Sequence, residues 1–247
     1  MQSHRLLRAL ATLALVLACG VAHAYHFTPT ETEWAMWPGY CKARYITTNI
    51  GGRSQYVSQV PRSEIDLWKA RIGDEAFLHV HHYCASMASR LRALQEPDKH
   101  QRQEYLKYAL DNAMYSYVRT PSTSPVYIQQ TTNLALIENA LGHADNALNY
   151  ANKGVEAQPE SAEAYVALAY VYTQMKKKQE ARDVLIKGNT VVEGKSAEIH
   201  YNLGLIELEL GNTESAVAHA KEAYALGHPL PGLKRKLIQA KAWIDSE

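Results

Sequence analysis

The sequence predicts an all-α chain: a helix-turn-helix solenoid with an aromatic-rich N-terminal module and a C-terminal capping helix. Three observations predict it. Within residues 126–231 one apolar pattern keeps returning, with Ala147, Ala181 and Ala216 spaced 34 and 35 residues apart. Upstream, apolar residues from Asp74 to Leu94 and from Lys99 to Arg119 recur at three- and four-residue steps, the spacing of one helical face. Downstream, Leu233, Leu237, Ala240 and Ile244 form an apolar stripe opposite Lys234, Arg235, Lys236 and Lys241.

Residues 1–24 read as a signal peptide. Arg5 and Arg8 supply the positive start, Ala9 to Ala18 is almost wholly apolar, and Ala22-His23-Ala24 is a small-x-small cleavage site before Tyr25. The apolar run is too short to span a bilayer, and no other run is long enough. The mature chain is therefore expected to be soluble, and periplasmic or otherwise exported. Val16-Leu17-Ala18-Cys19 faintly resembles a lipobox, which makes Cys19 a candidate lipid anchor and a membrane-anchored lipoprotein the alternative form. Cleavage removes two of the 26 basic residues and none of the 25 acidic ones, leaving a nearly neutral chain with no electrostatic footprint for nucleic acid.

Cleavage also leaves two cysteines, Cys41 and Cys84. An even pair in an oxidising compartment favours a disulfide, and this one closes a loop worth about 4 kcal/mol in lost unfolded-state entropy. The module spanning residues 25–125 has its own texture: Trp34, Trp37, Tyr40, Tyr45 and Trp68 make its first part aromatic, and Pro38-Gly39 and Gly51-Gly52 read as turns. Arg44 to Asn49 has the look of an extended run. Ser63 reads as the cap of a short helix, with Asp66 three residues on. The two longer helices that follow read as a degenerate helix pair, with Ala109, Ala113 and Pro121 at the small and closing positions.

The array itself divides into units 128–161, 162–196 and 197–231, with a cap over 232–247. Small residues at positions eight and twenty allow two antiparallel helices to approach closely; larger ones at four, seven, eleven and twenty-four fill the space beside them. Leu134, Ala135, Ala147 and Ala151 show the pattern in the first unit, Leu168, Ala169, Ala181 and Leu185 in the second, and Leu203, Gly204, Ala216 and Ala220 in the third. With the closing prolines Pro159 and Pro229, this resembles the tetratricopeptide repeat, which implies stacked helix pairs with a concave wall for another polypeptide. Trp37-Pro38-x-Tyr40-Cys41-x-x-Arg44 and His79-x-His81-His82-Tyr83-Cys84 together resemble a group of exported bacterial repeat proteins. That resemblance carries no catalytic assignment, and it supports a module pinned by Cys41 and Cys84.

In such repeats the concave side is lined by about positions two, five, nine and twelve of each unit. Here these are Gln129, Thr132, Leu136 and Asn139, then Glu163, Val166, Tyr170 and Thr173. The third unit gives Glu198, Tyr201, Leu205 and Leu208. Tyrosines, aliphatics and amides suit a protein or peptide client with Tyr170 and Tyr201 as anchors. The family's carboxylate clamp is not matched, because Thr132, Leu136, Ala167, Glu198 and Asn202 stand where its cations and amides belong.

No phosphate loop, metalloprotease or hydrolase motif is present, the scattered carboxylates read as solubilising charge, and neither catalysis nor a cofactor is expected. His79 and His82 share a helical face at a spacing that can hold a metal ion, with His81 between them and Cys84 on the other side. No obvious third ligand stands nearby, Met36, His26 and His100 being candidates only if the fold delivers them, so the expected role of this face is packing against residues 34–45. The function expected is a non-catalytic exported scaffold or adaptor in envelope assembly, secretion or a surface-polymer system. The alternative is a periplasmic metal- or haem-handling protein using His79, His81 and His82.

Overall fold

The computed structural model describes residues 27–243. Residues 1–24, read above as a signal peptide and including Cys19, lie outside the described residues, as do His26 and Ile244. Among those described there are twelve α-helices and no strand. No described helix is long and apolar enough to cross a membrane.

The first two helices, α1 (Glu31–Met36) and α2 (Gly39–Tyr45), are short. Thr30 and Glu33 form a reciprocal capping box at the start of α1, the hydroxyl accepting from Glu33 N at 3.2 Å and the carboxylate from Thr30 N at 2.8 Å. Arg44 to Asn49 is not extended: α2 runs to Tyr45, and Ile46 keeps helical backbone before the chain turns. The next helix, α3 (Arg62–Ile72), is capped by Pro61 rather than Ser63, which lies inside its first turn. Proline fixes its own φ and donates no hydrogen bond, so it suits a helix start.

Two long helices, α4 (Asp74–Gln95) and α5 (Lys99–Tyr117), pack as an antiparallel pair. Behind them come α6 (Tyr127–Leu141) with α7 (Ala144–Ala157), α8 (Ala162–Gln174) with α9 (Lys178–Val191), and α10 (Ala197–Glu209) with α11 (Thr213–Ala225). Each pair contacts the next, and the first helices also touch one another in series: α4 with α6, α6 with α8, α8 with α10. A short α12 (Gly232–Gln239) closes the far end. Leu233 and Leu237 are fully buried against Ala216 and Ala220, whereas Ala240, assigned above to the apolar stripe, is exposed.

Close approach explains the small residues. Ala147, Ala181 and Ala216 have no exposed surface. A Cβ on Gly188 would come within 2.6 Å of Tyr165 Cβ, and one on Gly204 within 2.5 Å of Leu233 Cδ2. Each unit turns at the same place in left-handed backbone: Gly142 at φ 88°, Lys176 at φ 62° and Gly211 at φ 85°.

Three carboxylates depart from the solubilising role assigned above. Glu138 and Glu207 sit at position eleven, inside the apolar register, and both are buried. Glu138 accepts from His143 Nδ1 at 2.7 Å; Glu207 accepts from Asn212 Nδ2 and Arg182 Nε, both at 2.6 Å. Glu33 is buried as well, gripped by both Arg92 Nε and Nη2 at 2.6 and 2.7 Å.

The N-terminal core is aromatic. Trp34 stacks on Tyr56 at 4.3 Å between ring centres, and Trp37 meets both Tyr45 and Phe27. Cys41 and Cys84 are joined by an S–S bond of 2.00 Å that ties α2 to α4. The face of α4 carrying Phe77, Val80, Cys84 and Ala88 belongs to this core, while another face packs on α5. One helix thus serves both the module and the stack.

Candidate functional site

The first helices of the pairs line a groove of about 460 Å³. Of the positions assigned to the concave wall, Gln129, Thr132 and Leu136 line it from α6, Glu163, Val166 and Tyr170 from α8, and Glu198 and Tyr201 from α10. Asn139, Thr173, Leu205 and Leu208 do not. Leu205 and Leu208 pack instead beside the core under α12, and the Thr173 hydroxyl donates to Ala169 O at 2.9 Å. Position twelve lies further along each first helix than any residue that lines the groove, and in the third unit position nine, Leu205, falls outside it as well.

The structure adds residues that register alone does not place. Tyr83, Met87 and Arg90 bring α4 into the wall, and His228 and Leu230 close it from the loop before α12. Tyr201 stacks on His228, ring centres 3.9 Å apart and nearly parallel. Tyr83 is buried in the floor, and burial, then the neighbouring Tyr40, pushes its phenol well above the ordinary range. Burial likewise pushes Tyr40 up to about 12. Both are neutral donors at physiological pH. Glu163 accepts from Gln129 Nε2 at 2.5 Å, and its carboxyl is raised by partial burial and by repulsion from Glu198.

The histidine cluster lies elsewhere. His79 and His82 pack on Tyr115 of α5, Arg44 of the 34–45 segment is anchored beside them by donating to Leu78 O at 3.0 Å, and Asn112 Oδ1 sits 2.8 Å from His82 Nδ1. His81 is buried, and desolvation, reinforced by Arg44, pushes it down to about 2. No three His, Cys, Asp or Glu side chains come together around a metal-sized space among the described residues.

The tetratricopeptide-repeat family model matches residues 162–189 and 197–226, the second and third units. The chain carries tetratricopeptide repeats. Such repeats are scaffolds for protein–protein interaction and are generally non-catalytic. Among curated proteins, a UDP-N-acetylglucosamine–peptide N-acetylglucosaminyltransferase of Giardia intestinalis is 36% identical over 81 residues. That match spans 31% of this chain and 5% of the transferase, and it is confined to the repeats. Among solved structures, a thermophilic tetratricopeptide-repeat protein of Thermus thermophilus gives a TM-score of 0.45 at 16% identity, covering 69% of this chain and 98% of its own. A double mutant of MamA gives 0.44 at 15% identity, covering 75% and 94%. At that level of likeness neither says anything about the client of these repeats.

Proposed function

We propose that this tetratricopeptide-repeat chain is a non-catalytic, exported scaffold that holds a protein partner in its concave groove, within an envelope-assembly, secretion or surface-polymer system. The observation that carries the groove reading is the continuous wall contributed by four successive first helices. In its middle Tyr170 stays 48% exposed. A large side chain kept at the surface of a concave wall suits a hot-spot contact. Export is supported by residues 1–24 and by the Cys41–Cys84 bond, since such bonds persist in oxidising compartments.

Two experiments test the two halves. Changing Tyr170 and Tyr201 to Ala is expected to abolish capture of the native partner while the helical signal and its melting are kept; unchanged capture would place the site elsewhere. Because Tyr201 also stacks on His228, Tyr170→Ala alone serves as the control for a disturbed cap. The intact mass of the mature protein should begin at Tyr25; a chain beginning at a lipidated Cys19 would instead make it membrane-anchored, and one keeping Met1 would remove export.

A further inference from the structure

The groove contains charges that the chain itself leaves uncompensated. Gln129, Glu163 and Glu198 occupy position two of the three units, at the starts of α6, α8 and α10. Gln129 donates to Glu163, but among the described residues no Lys, Arg or His forms an ion pair with Glu163 or Glu198. Both residues are exposed, and the two neighbouring carboxylates repel each other and favour a cation between them.

A charge of the opposite sign lies on α4. Arg90 enters the groove half-buried, donating from Nε to Asn133 Oδ1 at 2.9 Å, and Asn133 is held in turn by donating to Ser86 Oγ at 2.8 Å. Its terminal nitrogens meet no described acceptor, and no described carboxylate pairs with it. Partial desolvation of a guanidinium without a counter-charge is costly, and burial depresses its basicity. The contrast with Arg92, two residues on, is instructive: that arginine is fully engaged with Glu33 and the Thr28 carbonyl. Leu136, Val166 and Tyr170 supply apolar and aromatic surface in the same groove.

We propose that the groove selects an extended polypeptide segment bearing a lysine or arginine, whose cation is received by Glu163 and Glu198 while a carboxylate of the same segment is received by Arg90. This rests on the scaffold reading and specifies its client. Neutralising all three groove charges at once requires a ligand with both signs, and a chain with alternating side chains supplies them with apolar contacts between. The arrangement is the reverse of a site for acidic C-termini, where cations predominate.

The test is a random-peptide display selection on the full chain, with Glu163→Gln/Glu198→Gln, Arg90→Gln and Val166→Arg as parallel targets. Selected peptides are expected to be enriched in Lys or Arg together with Asp or Glu, and to be lost on Val166→Arg, which fills the groove. Synthetic copies should bind the double Gln variant about tenfold more weakly, the loss expected for an interfacial charge pair. Replacing the peptide's basic residue by norleucine should give the same loss and no further loss on that variant. The acidic residue should couple to Arg90→Gln in the same way. Peptides that depend on Val166 but show no basic enrichment, or that bind the double Gln variant equally well, would overturn the charge pairing and leave the groove reading standing. Peptides indifferent to Val166→Arg would overturn both.

Discussion

The N-terminal module and the repeat array bury apolar surface by different means. In the repeats the core is made of small residues and aliphatics that recur unit by unit, so every contact is with a neighbour in sequence. The module has no such repetition: Trp34, Trp37, Tyr45 and Tyr56 fill its core, and it is tied to α4 by the Cys41–Cys84 bond and the Glu33–Arg92 pair, which bridge 43 and 59 residues of chain. Short helices such as α1 and α2 cannot hold themselves in water, and such long-range ties offset the loop entropy of folding them. The module should therefore be fragile at its long-range ties, and the array at the contacts between successive helix pairs.

The sharpest way to separate the two regions is to remove the disulfide. Changing Cys41 and Cys84 to Ser should cost about 4 kcal/mol by loop entropy, read as a lower urea midpoint, with loss concentrated in the aromatic near-ultraviolet signal of the module. In the array, Leu203→Ala, at a fully buried position between helix pairs, should cost about 3 kcal/mol and leave that aromatic signal intact. A disulfide variant that melts the repeats first would erase the distinction between the regions.

Arg92→Ala should cost about 2 kcal/mol, because it leaves a buried carboxylate without its partner. It also changes the response to acid. Burial alone would raise the Glu33 carboxyl, but hydrogen bonds from Arg92 and the Thr30 backbone outweigh it and hold it below its usual range. A carboxyl depressed in the folded chain adds stability above its unfolded pKa and loses it as pH falls through the lower folded value. In unfolding titrations the native chain should therefore lose stability below about pH 4, and Arg92→Ala should reduce that dependence while leaving the part carried by Glu207, which Asn212 and Arg182 likewise hold low. The smallest effect belongs to Lys176→Gly. It relieves the one non-glycine among the three equivalent left-handed turns, and should gain about 0.5 kcal/mol in thermal unfolding.

What is legible in the sequence follows from the same contrast. Ala147, Ala181 and Ala216 read as buried because the period repeats their environment, and that register also places Gln129, Val166 and Tyr170 on the wall. Tyr83, Met87 and Arg90 are not legible, since α4 can be compared with no second copy of itself. Glu138 and Glu207 escape a reading by pattern because an acid in an apolar register carries no meaning until its partner is seen; His143 and Asn212, each five residues on, are the signal available. Arg44 to Asn49 escapes it because α2, which reaches Tyr45 at the start of that run, is fixed by contacts distant in sequence, the Cys41–Cys84 bond among them. His79 and His82 do share one face, but which helix covers that face depends on how α5 folds back, a tertiary matter that periodicity does not encode.

The most direct test of the central claim is site-specific photo-crosslinking in living cells, with a photoreactive residue at Val166 in the groove or at exposed Ile186 on α9 outside it. A covalent adduct with another polypeptide is expected from Val166, absent from Ile186 and suppressed by the Glu163→Gln/Glu198→Gln change. Adducts from Ile186 alone, or from Val166 only to the chain itself, would contradict the central claim.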